Sequence, residues 1–271
     1  MLDLIKVILL GIVEGVTEFL PISSTGHLIV AVALLQPNFS PALSGTFEIF
    51  IQLGAVVAVI AFYRADIWRQ VSTVRTDRQV QRFWLALIIA FIPAAVIGLA
   101  LHSAIKTYLF SPLTVAIALI VGGIAFILIE RRLKDQTPAT TELMEVSYRQ
   151  AFIIGVVQVL SLIPGTSRAA TSIFGGMLAG LNRETATRFS FYLAIPTLGL
   201  ATIVDLLISL EGLHGDDLLF LAVGTVVSGI VAWVAVGWLL RYVSRNTFIP
   251  FGYYRIAAGV VILILMAAAV L

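Results

Sequence analysis

The segment GIVEGVTEFLPISSTGH, residues 11–27, places two carboxylates, the three consecutive hydroxyls of Ser23, Ser24 and Thr25, and an imidazole within an otherwise apolar stretch. Glu14 and Glu18 are four residues apart, so on a helix they stand one turn apart on one face. Pro21 ends that helix, and Ser23, Ser24 and Thr25 fill the turn before His27. A charge in hydrocarbon costs roughly 2.5–3.5 kcal/mol on insertion scales, so intramembrane acids are functional residues by default. Here the acids are followed at once by nucleophile-type and base-type side chains. The expected chemistry is attack by a serine, Ser24 favoured over Ser23. His27, three positions after Ser24, handles the proton, and Glu14 and Glu18 position a divalent cation or a water.

A second polar turn, IPGTSRAATS at 163–172, supplies the cation that the first lacks. It opens with Pro164-Gly165, offers Thr166 and Ser167 as N-cap candidates, and presents Arg168 near a helix start. Free backbone N–H groups at a helix N-terminus bind anions, and an Arg adds a bidentate fork for phosphate oxygens. Acids and nucleophiles in one turn and the cation in the other predict one shared phosphate-ester or diphosphate site. That requires the two turns to meet in space.

The elements that carry these turns belong to a membrane protein. The chain of 271 residues is 60% hydrophobic and 12% charged, with a mean hydropathy of +1.05. Apolar runs of spanning length recur at about 47–63, 83–101, 112–130, 189–208, 218–240 and 250–271. The N-terminus lacks a small-x-small cleavage site after its apolar run and is not expected to be a signal peptide. With no Cys there is neither a disulfide nor a thiolate site. A net charge of +2, with the Arg residues at span ends, argues against a nucleic-acid partner.

The chain reads as a duplication. PISST at 21–25 matches PGTSR at 164–168, an offset of 164 − 21 = 143. Upstream, Gly11 matches Gly155 and Glu14 matches Gln158. FEIFIQLG at 47–54 sits against FSFYLAIP at 189–196, and Ser111-Pro112 against Ile249-Pro250. Each half has three full spans preceded by a broken apolar segment, flanked by 4–19 and 27–36 in the first half and by 150–162 and 168–180 in the second. Short helices meeting at a polar turn predict a re-entrant hairpin, and an odd number of spans per half predicts opposite insertion of the halves. The expected fold is therefore an all-α integral membrane protein with an inverted-topology repeat, each half a re-entrant helical hairpin plus three transmembrane helices. It forms a single membrane domain, with repeats 1–132 and 150–271 joined by a polar linker at 133–149.

Loop charges set the orientation. Arg64, Arg69, Arg75, Arg78 and Arg82 share a side by parity with Arg131, Arg132, Lys134, Arg149, Arg183, Arg188, Arg241 and Arg245. The opposite loops hold His102 and Lys106, then Glu211, His214, Asp216 and Asp217, and His102 and His214 are read as bland. The Arg-rich side, with the linker, is expected in the cytoplasm. Trp68, Trp84, Trp233 and Trp238 fit interfacial or lipid-facing positions.

At these motifs the chain resembles the undecaprenyl-diphosphate phosphatases of the bacitracin-resistance type. Residues 11–27 match the family's ExxxE-FLP-x-SSTGH pattern without a gap, and the likeness extends to TFEIFIQLG at 46–54, YRQAF at 148–152 and FIPFGYYR at 248–255. The second signature departs from the family's PGxSRS form, with Ala169 where a second Ser is common and Thr171-Ser172 in place of a small residue and Thr. The resemblance implies removal of the terminal phosphate from a C55 polyprenyl diphosphate lipid left by cell-wall glycan polymerisation. It also implies a divalent cation (Mg or Ca) and a site facing the extracytoplasmic side of a bacterial inner membrane. Glu14, Glu18, Ser24, His27 and Arg168 fall on family catalytic or phosphate-site positions. Ser23 and Thr25 are supporting hydroxyls, and Gly165, Thr166 and Ser167 join Arg168 around the substrate phosphate. The roles of Glu48 and Gln52, in matching segments, stay open, as does the oligomeric state, a homodimer included. A competing reading is an inverted-repeat transporter or flippase for a phosphorylated lipid or anion, which needs Arg168 but not Ser24 and His27.

Overall fold

The structure, a computed structural model, describes residues 2–134, 136–209 and 215–271, without the side chains of residues 41, 42, 45, 102, 106, 201, 203–209 and 216. Glu211 and His214 lie outside the described residues, as do the side chains of His102, Lys106 and Asp216. The described residues are built from helices. In the first half these are α1 (Leu2–Thr17), α2 (Ser24–Leu35), α3 (Pro41–Phe62), α4 (Arg64–Thr73), α5 (Arg78–Tyr108) and α6 (Pro112–Leu133). In the second they are α7 (Tyr148–Gln158), α8 (Arg168–Leu178), α9 (Arg183–Ser209), α10 (Gly215–Val243) and α11 (Ile249–Ala267).

Helix starts follow local chemistry. Ser40, Ser111 and Ser147 cap α3, α6 and α7 through their hydroxyls, Asp77 caps α5, and Pro stands in the first turn of α3, α6 and α11. Among the described residues, four helical stretches are long and apolar enough to cross a membrane: Arg78–Leu101, Pro112–Leu133, Asp217–Val243 and Ile249–Ala267. The Arg-rich stretch after α3 is helical rather than a loop, because α4 continues α3 after a 71° bend at Tyr63. The hairpin helices α1, α2, α7 and α8 have 16, 12, 11 and 11 residues, each short of the roughly 20 that a span needs.

Packing follows a two-fold exchange of the halves. α1 lies against α10 as α7 lies against α5, α1 packs on α2 as α7 on α8, and α3 meets α10 as α9 meets α5. The pairs α6–α11 and α3–α9, each of which exchanges into itself, are also packed. Gly11 and Gly155 permit the close approaches: a Cβ there would stand 2.9 Å from the Gly224 carbonyl oxygen and 2.6 Å from that of Ala90. The backbone corrects the sequence alignment by one residue. Ser23 (φ 72, ψ 102) and Ser167 (φ 73, ψ 120) share the same strained conformation as N-caps of α2 and α8, so they, not the two prolines, are equivalent. Their offset of 167 − 23 = 144 is also that of Gly11 and Gly155.

The end of α6 meets the starts of α9 and α11. Glu130, near the end of α6, takes Arg183 of α9 on both carboxylate oxygens and accepts the Phe248 N–H at the start of α11 at 2.7 Å. The 133–149 linker docks on the exit of the second hairpin, where Ala139 N–H donates to the Gly180 carbonyl and Asn182 N–H to that of Thr140. The main apolar core, with Phe189, Phe191 and Tyr192, takes in Phe19, Leu20 and Ile22 of the first hairpin turn.

Candidate active site

The last turns of α1 set Glu14 and Glu18 in the protein interior, 0% and 6% exposed. The helical register runs past α1, since Glu18 N–H still donates to the Glu14 carbonyl at 2.9 Å. Ser24 is the first residue of α2, and its hydroxyl donates to Glu18 Oε2 at 2.7 Å within the interior. From the other hairpin, Arg168, the first residue of α8, donates through NH2 to Glu18 Oε1 at 3.0 Å. One carboxylate therefore holds the candidate nucleophile on one oxygen and the candidate phosphate fork on the other. The two turns meet, as the complementarity of their residues requires.

Arg168 is fixed from several directions. Its NH1 donates to the Ser190 carbonyl at 3.1 Å, and its guanidinium lies 5.5 Å from the centre of the Phe19 ring. Ser190 in turn shares a 2.6 Å hydrogen bond with Ser172, whose hydroxyl also reaches the Arg168 carbonyl at 2.8 Å. Ala169, where the signature departs from the family form, is fully buried, and the hydroxyl at Ser172 supports Arg168 through Ser190. Arg168 Nε is buried and has no partner among the described residues. Because α2 and α8 both begin here, two helix N-termini add their positive dipole ends to the site.

His27 departs from the expectation. It reaches back one turn, but its Nδ1 meets the Ser23 carbonyl at 2.7 Å rather than Ser24 Oγ, and its Nε2 meets the Tyr254 hydroxyl at 2.7 Å. Both ring nitrogens are thereby engaged, while the Ser24 hydroxyl is taken by Glu18. Ser23 and Ser167 use their hydroxyls as caps, accepting from Gly26 and Ala170 N–H. Thr166 donates its hydroxyl to the Leu160 and Ile163 carbonyls, which closes the turn. Thr25 is half-buried in the first turn of α2, and Gly165 turns at φ 95. Glu48, on α3, is half-buried.

Sequence reasoning missed Arg255 and Tyr254. Arg255 is fully buried and donates to the carbonyls of Pro21 (3.2 Å), Ala118 (3.2 Å) and Gly165 (3.0 Å), tying both hairpin turns to α6. Its guanidinium lies 5.0 Å from the Phe126 ring centre, in space that Gly122 leaves open. The available signal was an Arg inside an otherwise apolar span, which has to find a polar partner in the bundle.

The donor set fits a divalent cation at one residue in particular. Among the described residues no three His, Cys, Asp or Glu side chains gather as a cage. Both oxygens of Glu14, however, are buried without a hydrogen-bond partner among the described residues, one turn from Glu18. Mg²⁺ needs only one or two carboxylates when substrate phosphates and waters complete its shell.

Fold and site together define a polytopic membrane protein with a buried Ser–Glu–Arg centre assembled from two hairpins. Residues 7–261 match the family described as bacitracin resistance protein BacA, and the chain belongs to that family. It is similar to the undecaprenyl-diphosphatase of Deinococcus radiodurans, 47% identical over 271 residues, covering 100% of this chain and 98% of the relative. The undecaprenyl-diphosphatases of Deinococcus deserti (46% over 276 residues; 100% and 98% covered) and Methylobacillus flagellatus (47% over 263; 96% and 97%) are similarly close.

Proposed function

We propose that this chain hydrolyses undecaprenyl diphosphate to undecaprenyl phosphate and phosphate, recycling the lipid carrier for cell-wall synthesis and conferring resistance to bacitracin. The observation that carries the chemistry is the shared carboxylate: Ser24 Oγ on one oxygen of Glu18 at 2.7 Å and Arg168 on the other at 3.0 Å. In this reading Ser24 Oγ attacks the terminal phosphorus. An Oγ–P bond forms, the P–O bond to the bridging oxygen breaks, and the Ser24 proton passes to Glu18. Undecaprenyl phosphate leaves. Glu18 gives that proton to the leaving oxygen and is a carboxylate again; a water deprotonated by it then attacks the phosphoserine, the Oγ–P bond breaks, and Glu18 returns the water's proton to Ser24 Oγ as phosphate is released.

Arg168 gathers the phosphate charge. Its buried Nε is a donor free for a phosphate oxygen, and the Glu18 carboxylate occupies the fork until the diphosphate arrives. Glu14, with support from Glu18, would hold a divalent cation, which supplies charge neutralisation for the diphosphate. The site opens to the extracytoplasmic side of the bacterial inner membrane. Support for that orientation comes from the exposed Arg64, Arg69, Arg75, Arg78, Arg131, Arg132 and Arg149, which lie in the connections and flanking helix turns assigned to the cytoplasm.

The test is phosphate release by the purified chain in detergent supplied with undecaprenyl diphosphate. Stoichiometric phosphate and undecaprenyl phosphate are expected. A protein that binds the lipid diphosphate and releases no phosphate would be a carrier instead.

A further inference from the structure

The two hairpins secure their strained serines by the same device. In the second, the Ser167 carbonyl accepts from Thr171 Oγ1, four residues on, at 3.1 Å. In the first, the Ser23 carbonyl meets His27 Nδ1, also four residues on, at 2.7 Å. His27 and Thr171 are equivalent, since 171 − 27 = 144. A carbonyl oxygen only accepts, so Nδ1 of His27 carries the hydrogen. In the neutral ring Nε2 is then the acceptor, facing the Tyr254 hydroxyl at 2.7 Å. The two rings stack, with centroids 5.6 Å apart and planes 5° apart. Among the described residues Ser24 Oγ donates to Glu18 and not to His27.

We propose that His27 and Tyr254 are a positioning pair: Tyr254 orients the imidazole so that its Nδ1–H fixes the Ser23 carbonyl and thereby aims the adjacent Ser24 hydroxyl at Glu18. The inference rests on the reading of Ser24 and Glu18 given above. Ser23 is the cap of α2 and directly precedes the nucleophile, so rotation of its carbonyl moves the start of α2 and with it Ser24 Oγ. Thr171 performs the same service without any titratable group. The grip at this position therefore needs a donor of the right reach, not a proton carrier. Tyr254 comes from α11, one residue before Arg255, so the helix that ties the two turns together also orients the imidazole.

The experiment measures kcat and KM for undecaprenyl diphosphate across pH with the purified full chain and its Tyr254→Phe, His27→Ala and His27→Thr variants. Tyr254→Phe keeps the ring stack and loses one hydrogen bond, so kcat should fall about tenfold, with KM and the shape of the pH–rate profile unchanged. His27→Thr copies the second hairpin and should recover about tenfold of the rate lost in His27→Ala. The proposal is overturned if His27→Thr is no better than His27→Ala, or if it loses a limb of the pH–rate profile, the mark of a proton carrier. It is also overturned if Tyr254→Phe is as active as wild type. That conservative change at a half-exposed ring carries the test alone should the His27 variants not fold. Ser24→Ala separates the two readings. Turnover by Ser24→Ala would remove the assignment of the nucleophile, whereas the ranking of the His27 and Tyr254 variants decides the positioning role.

Discussion

At equivalent positions of the two hairpins stand Glu14 and Gln158, Glu18 and Leu162, Ser24 and Arg168, and His27 and Thr171, every pair 144 residues apart. The parts that serve the backbone are shared. Both hairpins have a glycine at the helix crossing, a serine cap at positive φ and a side chain that grips that serine's carbonyl. The parts that serve chemistry differ: acids and a hydroxyl on one side, a guanidinium on the other. A pseudo-symmetric frame thus yields an asymmetric site, with nucleophile and phosphate fork brought face to face from equivalent positions. The pair at 14 and 158 sharpens the point. Gln158, like Glu14, is buried with no partner for its side-chain atoms among the described residues, so this polar slot belongs to the frame and only its charge to the chemistry.

The harshest way to break the asymmetry is Arg168→Lys. Lys keeps the charge but loses the planar fork, so kcat/KM should fall about a hundredfold while the protein still elutes as a folded species. Near-normal turnover would show that the fork is dispensable. Glu14→Gln makes the first hairpin resemble the second. It should lose about tenfold in rate together with its stimulation by Mg²⁺ or Ca²⁺, yet unfold at the same or a higher temperature, because a buried carboxylate without a donor has been removed. A slow variant that keeps its full metal response would take Glu14 out of the metal role.

Arg255→Met tests what holds the hairpins together. Removing three donated hydrogen bonds leaves the Pro21, Ala118 and Gly165 carbonyls without that donor, at a cost of about 3 kcal/mol in unfolding free energy. Unchanged thermal stability would show that the turns are set by helix packing alone. A loss of about 1–3 kcal/mol in stability is expected for Gly11→Ala and Gly155→Ala, each of which drives a methyl into a facing carbonyl. The two should be alike in stability, and a large difference between them would argue against the shared frame.

Much of this arrangement is legible in the sequence, for physical reasons. Pro21 and Pro164-Gly165 cannot continue a helix, and the helices they separate are too short to span, so both hairpins follow. Acids without a cation in one turn and a cation without acids in the other foretell the Glu18–Arg168 contact. Less legible are contacts made over long separations. Tyr254 and Arg255 lie 227 and 234 residues from their partners His27 and Pro21, and nothing local indicates which carbonyl a buried Arg will find. The alignment by prolines was off by one because proline marks where a helix stops, whereas the positive-φ serine marks where the next begins. The helix α4 was hidden because its Arg residues read as loop charge, although they line the exposed face of a short helix.

The central claim is that Ser24 takes the phosphoryl group before water does, and stereochemistry tests it most directly. Undecaprenyl diphosphate with a chiral, isotopically labelled thiophosphate at its terminal position would be hydrolysed by the purified chain in oxygen-labelled water. Two successive in-line displacements, first by Ser24 and then by water, predict net retention of configuration at phosphorus. Net inversion would mean that water attacks the lipid diphosphate directly, and would contradict the assignment of Ser24 as nucleophile.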